Sequence, residues 1–203
     1  MALTSRTAWR DIRSPLTVAD LRAMLVAPSR GVIAFPSRPY DEVYPGIIIG
    51  DCSTALCLPL LRSLHVTHVL NAALGRGGGA VSLRGHVATS AGYYSELGVQ
   101  FLGLSALDVR GFDISVHFDK AAEFIAGALR DDGKVLVHCV QGLSRSATLV
   151  IAYLMIKLHM SLSQALQTVR ARREIFPNDG FLQQLIRLNN QLMDARRVNV
   201  SWL

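Results

Sequence analysis

The stretch that most constrains this chain runs from His138 to Ser146: His138-Cys139-Val140-Gln141-Gly142-Leu143-Ser144-Arg145-Ser146. It follows a short apolar strand, Lys134-Val-Leu-Val137, and runs straight into an apolar helix from Ala147 to Ile156. A cysteine thus sits where a buried strand ends, and an arginine follows at the mouth of a helix. Gly142 and small or uncharged residues lie between them. That arrangement suits the holding of a tetrahedral oxyanion against a thiolate.

The chemistry follows from the residue types. A free thiol titrates near 8.5, and only the thiolate is a good nucleophile. The positive end of the helix starting near Ser144 points toward Cys139. The N–H groups from Val140 to Arg145 can curl into an anion-binding concavity. Arg145 adds a full charge, and its planar fork matches two oxygens of a phosphoryl group as a lysine cannot. Each contribution favours the charged sulfur. Gly142 lets the backbone turn tightly, and the Ser146 hydroxyl is placed to hydrogen-bond the sulfur.

Elsewhere β and α signals alternate. Leu16 to Ala27 reads as an amphipathic helix starting at Leu16 or Thr17, with Leu21, Met24 and Leu25 on one face. Pro28 and the Pro36 to Pro45 region read as a linker. Strands are expected at Gly46–Gly50, Val66–Asn71, Val99–Leu104 and from Lys134. Helices are expected at Ser53–Leu64, Ile114–Leu129, Ser144–Leu158, Ser161–Arg173 and Asp179–Arg196, with Ser161 and Asn178 as N-caps. Gly75 to Gly92 reads as a Gly-rich loop with a weakly helical end at Tyr93–Leu97. The alternation implies an α/β single domain with a mostly parallel central sheet flanked by helices. In such sheets, sites form at the C-terminal strand ends, the edge where both Cys139 and Asp108 fall.

Composition excludes several classes. Of 203 residues half are hydrophobic, and the mean hydropathy is +0.30, so the chain is not a disordered one. The longest apolar run, Ala147 to Ile156, is too short to cross a bilayer. Arg6, Arg10 and Arg13 are followed by no apolar stretch of signal-peptide type, which leads to the expectation of an intracellular protein. Three cysteines, Cys52, Cys57 and Cys139, argue against a disulfide framework, and no zinc-finger spacing is present. Cys52 and Cys57 read as ordinary helix packing. The net charge of +6 favours anionic partners, but no block of five like charges occurs, and the densest basic stretch is Arg170-Ala-Arg-Arg173.

His138 to Ser146 resembles the signature loop of the cysteine-dependent protein phosphatases. The rest of the chain is similar to the dual-specificity branch, in particular to its small atypical members without a MAP-kinase docking domain. The likeness extends to Asp41-Glu42-Val43, Pro45, Gly50-Asp51, Val66 to Ala73, Ala147 to Met155 and Pro177-Asn-Asp-Gly-Phe181. It covers residues 16 to 195 and implies a protein-tyrosine-phosphatase-like domain over 16–196. A flexible extension (1–15) would precede the domain and a tail (197–203) would follow it.

The resemblance implies hydrolysis of phosphate monoesters on tyrosine, serine and threonine through a phosphocysteine on Cys139. Arg145, Ser146 and the backbone of Val140, Gln141, Gly142, Leu143 and Ser144 would serve the phosphate. The family's acid is an aspartate about thirty residues upstream of the cysteine. Asp108 stands 31 positions before Cys139; its competitor Asp113 reads as a helix cap. His138 would orient the nucleophile, and Asn178 and Asn71 would brace the loop. Arg173 falls where some relatives contact a second phosphate. No metal and no cofactor are implied. Phosphorylated proteins are the expected partners, with kinases and a homodimer as open options. Neither a nucleic-acid partner nor a membrane span is expected, and the expected location is cytoplasmic, with the nucleus also open.

Selectivity rests on departures from the family pattern. Val140, Gln141, Leu143 and Ser144 carry no positive charge, unlike the loops of phosphatases for inositol lipids or RNA ends. Several relatives have an acidic residue at Gln141 and an aromatic at Leu143. Gly75-Arg-Gly-Gly-Gly79 lacks the aromatic that walls a phosphotyrosine pocket, a part left to Tyr93 or Tyr94. The alternative readings are a catalytically weak phospho-binding scaffold and a phosphatase for lipid or RNA phosphates.

Overall fold

The computed structural model describes residues 15–75, 85–130 and 132–200, without the side chains of 198–200. Most of the expected N-terminal extension, the glycine run after Gly75 and the last residues of the expected tail lie outside these residues.

The described residues form one α/β domain around a five-stranded sheet of order β1-β2-β5-β3-β4. The strands are β1 (Tyr40–Tyr44), β2 (Ile47–Gly50), β3 (His68–Asn71), β4 (Gln100–Gly103) and β5 (Val135–His138). β2, β5, β3 and β4 run parallel, and β1 pairs antiparallel with β2 at the edge. The sheet is therefore mixed, and β1 replaces part of the expected linker. Its sequence, Tyr-Asp-Glu-Val-Tyr between Pro39 and Pro45, hid a strand behind two carboxylates. Asp41 and Val43 nevertheless point inward. Gly46, at φ +75, makes the turn, and its N–H donates to the Glu42 carboxylate at 2.8 Å.

Alternation along the inner strands divides the core into two layers. Ile47, Ile49, Leu70, Val135 and Val137 face the larger layer, with α1 (Val18–Val26), α4 (Phe118–Arg130), α5 (Arg145–Lys157), α6 (Leu162–Arg170) and α7 (Asp179–Val200). Ile48, Val69 and Leu136 face the smaller layer with Ala55, Leu61 and Tyr94. Each such side chain, fully buried, contributes roughly 1.5–3 kcal/mol. α5 is buried from Arg145 to Met155, as an apolar helix beneath other helices must be. Thr17 closes a capping box with Asp20 at the start of α1, and Ser161 does so with Gln164 at α6.

The expected Ser53–Leu64 helix is broken into α2 (Cys52–Leu56) and α3 (Leu58–Ser63). Pro59 has no N–H to give the Ala55 carbonyl one turn back. The Tyr94 hydroxyl takes that place, donating to Ala55 O at 3.0 Å, and Tyr93 donates to Leu56 O at 2.6 Å. Both hydroxyls are committed to this break, and Tyr94 is fully buried and has no face left to wall a pocket. Cys57 sits exposed at the joint rather than packed on a helix face.

Candidate active site

β5 is central, so its C-terminal end opens between the ends of β2 and β3. The residues after His138 form a loop whose carbonyls are all drawn outward. Val140 O accepts from Cys52 N–H at 2.9 Å, Leu143 O from Phe176 N–H at 2.9 Å, and Ser144 O from Thr148 N–H at 2.9 Å. Gly142 O accepts from Arg173 Nε at 2.9 Å and Gln141 O from Arg173 Nη2 at 3.2 Å. In a trans peptide the following N–H points opposite to the carbonyl. The N–H groups of Gln141, Gly142, Leu143, Ser144 and Arg145 therefore face inward, around Cys139. Gly142 has φ +64, and a Cβ there would meet Gly50 O at 2.6 Å; both facts require glycine.

Cys139 is buried, with its Sγ 3.4 Å from Ser146 Oγ. Burial pushes its thiol upward. The Arg145 charge, the Ser146 hydroxyl and the N–H groups of Ser146 and Leu143 outweigh it, and the thiol titrates below 9.0. His138 is fully buried, with Nδ1 3.3 Å from Cys139 O. Burial above all, helped by the Arg145 charge, holds its imidazole down to about 4. It is therefore neutral at physiological pH.

Arg145 Nη1 donates to Gly85 O at 2.8 Å and to Ala106 O at 3.0 Å. These two bonds fix the plane of the guanidinium. Its Nε is buried without a hydrogen-bond partner among the described residues. A buried guanidinium N–H whose one anionic contact is a long ion pair with Asp108 suits a closer anion brought in from outside.

Asp108 lies across the mouth. Its Oδ1 accepts from Ser144 Oγ at 2.8 Å and from Asn178 Nδ2 at 2.9 Å. Its Oδ2 is 3.5 Å from Arg145 Nε. The loop thus brings Asp108 against Ser144 and Arg145 of the loop that follows Cys139. Asp113 instead accepts from the N–H and hydroxyl of Ser115, heading a 3-10 turn before α4. Asn178 combines both roles open to it, since its Oδ1 also accepts from Phe181 N–H at 3.1 Å and caps α7.

Two expectations need correction. Arg173 is 1% exposed, and all its N–H groups are taken by Gln141 O, Gly142 O, Arg38 O, Pro39 O and Asp41. No donor is left for a second phosphate; Arg173 holds the back of the loop instead. Asn71 does not brace that loop directly. Its Nδ2 donates to Val87 O at 2.8 Å and Thr89 Oγ1 at 2.9 Å, and it steadies the segment whose Gly85 carries Arg145. Asp41, which anchors Arg173 at 2.7 Å, and Gly180, behind the Asp108 loop, are site residues that the sequence did not reveal.

Comparison with known proteins agrees with this geometry. Residues 47–191 match the family model of the dual specificity phosphatase catalytic domain. The chain belongs to the dual-specificity phosphatase family. It is 46% identical over 153 residues to dual specificity protein phosphatase 26 of Pongo abelii, covering 75% of this chain and 68% of that protein. Human DUSP28 superposes with TM-score 0.65 at 30% identity, over 79% of this chain and 99% of that structure. A mouse putative dual specificity phosphatase complexed with zinc tungstate gives TM-score 0.65 at 31% identity, over 78% and 91%. The chain is thus a dual-specificity protein phosphatase of the protein tyrosine phosphatase superfamily, and the phosphocysteine route general to that family is its reaction. Among the described residues no helix is long and apolar enough to cross a membrane.

Proposed function

We propose that Cys139 is the nucleophile, that Arg145 and the inward N–H groups hold the transferred phosphoryl group, and that Asp108 is the proton donor. The observation that carries this reading is the outward anchoring of the loop carbonyls from Val140 to Ser144, which leaves a ring of N–H groups around a thiol held below its ordinary range. The Cys139 thiolate attacks phosphorus in line, forming the S–P bond as the ester P–O bond breaks. The equatorial oxygens take the loop N–H groups and the Arg145 fork. Asp108 protonates the departing oxygen through Oδ2, which makes no hydrogen bond and is held only by its 3.5 Å ion pair with Arg145 Nε, a contact the incoming phosphoryl group replaces. A water then attacks the phosphocysteine. Asp108 takes the water's proton, inorganic phosphate leaves, and the thiolate is restored with help from the Ser146 hydroxyl.

The substrates we infer are singly phosphorylated tyrosine, serine and threonine side chains of proteins. The loop side chains Val140, Gln141, Leu143 and Ser144 are uncharged, and Arg173 is committed to the loop's own carbonyls. Neither feature suits a polyanionic lipid or RNA end. The reading extends to kinases among the phosphorylated substrates and to action in the cytoplasm and nucleus.

The test is hydrolysis of phosphopeptides and of short inositol phosphates by the wild type and by Cys139→Ser. Expected is vanadate-sensitive, EDTA-insensitive turnover of the peptides that Cys139→Ser abolishes. Wild-type-like hydrolysis by Cys139→Ser, or phosphopeptide binding without turnover by the wild type, would overturn the reading.

A further inference from the structure

The loop that carries Asp108 is poorly held by burial. Leu107 and Val109, on either side of the aspartate, are 42% and 53% exposed. A cavity of about 600 Å³ lies beside Arg110 and Gly111, bounded by Val18, Gln183 and Arg187. A segment with so little apolar contact opens easily unless polar contacts fix it. Ser144 and Arg145 of the phosphate loop hold one side of it, at Asp108 and at Ala106 O, and three consecutive residues at the start of α7 hold the other. Asn178 donates to Asp108. Asp179 pairs with Arg110, and also with Arg22 of α1 at 3.5 Å. Gly180 lies under the Arg110 backbone: a Cβ there would stand 2.0 Å from Arg110 O and 2.8 Å from its carbonyl carbon.

Gly180 is not glycine for conformational reasons. It lies inside α7 and is not among the residues of positive φ. Alanine is favoured over glycine at such a site by about 1 kcal/mol in helix propensity. What requires glycine is the approach of the Arg110 carbonyl, which belongs to the loop holding Asp108 two residues earlier.

We propose that Asn178, Asp179 and Gly180 form a dock that seats the Asp108 loop in its reacting position, and that Gly180 is a positioning residue for proton transfer. The proposal rests on the reading of Asp108 as the acid. A methyl group at Gly180 cannot be absorbed by rotating a side chain, because the atoms it meets are backbone. The loop must rise, and Asp108 with it. A displacement of about 1 Å is enough to cost on the order of 100-fold in a positioned reaction. The carbonyls of the phosphate loop are anchored by Cys52, Phe176 and Arg173, so its oxyanion affinity should change far less than proton transfer does, although Ser144 and Arg145 also touch the Asp108 loop.

The experiment measures kcat/KM for wild type, Gly180→Ala, Asp179→Asn and Asp108→Asn on aryl phosphates of graded leaving-group acidity, with vanadate inhibition and thermal midpoint alongside. Asp108→Asn should lose about 100-fold or more on the poorest leaving groups and little on the best. Gly180→Ala should show the same slope against leaving-group acidity, with vanadate affinity and midpoint near wild type. Asp179→Asn should show it to a smaller extent, and it decides the matter if Gly180→Ala does not fold. A steep dependence in Asp108→Asn with a wild-type dependence in the dock variants overturns the dock. A flat dependence in Asp108→Asn overturns the assignment of the acid instead.

Discussion

Asn178 serves two elements with one amide: its Nδ2 donates to Asp108 Oδ1 at 2.9 Å, while its Oδ1 accepts from Phe181 N–H at 3.1 Å. Serine keeps the capping oxygen and removes the amide donor, so Asn178→Ser separates the two roles. Stability should change by less than about 1 kcal/mol, since both residues are good N-caps. Turnover of poor leaving groups should fall, and that of activated aryl esters should not. Urea titration and the paired kinetic constants check both halves.

The state of Cys139 depends on Arg145. Burial opposes ionisation of the thiol, and the Arg145 charge is the largest influence that favours it. Alkylation by iodoacetate, which reads the thiolate, should therefore rise at a lower pH in the wild type than in the unfolded chain. In Arg145→Ala the rise should move to higher pH. An unmoved profile would assign the lowering to the loop N–H groups and Ser146 alone.

His138 makes the fold sensitive to acid. The free imidazole titrates at 6.5 and the folded one at about 4, chiefly because burial disfavours its charge. Between those values the unfolded chain binds a proton that the folded chain does not. Stability is therefore full above pH 6.5 and declines as the pH falls toward 4, by up to about 3 kcal/mol. Denaturant titrations across this window should show the decline. The slope should flatten in His138→Asn, whose side chain carries no proton equilibrium.

The contrast between Cys139 and Arg173 explains what could be read from the chain. The phosphate loop is local: strand end, nucleophile, glycine, arginine and helix start fall within a few residues, so their order dictates their geometry. Asp108 is singled out by the family spacing alone, and its partners Ser144 and Asn178 are visible only in the fold. Arg173 was misread because its role is set by Asp41, 132 positions away in sequence. β1 was missed for the same reason, as its inward carboxylate is made tolerable by Arg173 from behind and by Arg38 from the surface. The roles of Tyr93 and Tyr94 were hidden because their partners are carbonyls at the break between α2 and α3, and a backbone acceptor leaves no trace in composition.

Arg173 holds the Gln141 and Gly142 carbonyls outward while neutralising buried Asp41. Arg173→Met leaves the two carbonyls without their donor and Asp41 with only the exposed Arg38, which should cost up to about 3 kcal/mol of stability. Vanadate affinity should fall with it, because the inward N–H groups lose their backing. Arg173→Lys should restore little, since an ammonium cannot span the same fork of acceptors. Equilibrium unfolding and inhibition constants for both variants provide the check.

The central claim, a phosphoryl group carried on Cys139 with Asp108 serving proton transfer, is tested most directly by trapping the intermediate. Asp108→Asn is mixed with an aryl phosphate of good leaving group, quenched in acid within the first turnover, and analysed by peptide mass spectrometry. The expected result is one phosphoryl group on the peptide containing Cys139, absent from Cys139→Ser treated in the same way. Phosphate on another residue, or a burst of phenol release with no phosphorylated Cys139, would contradict it.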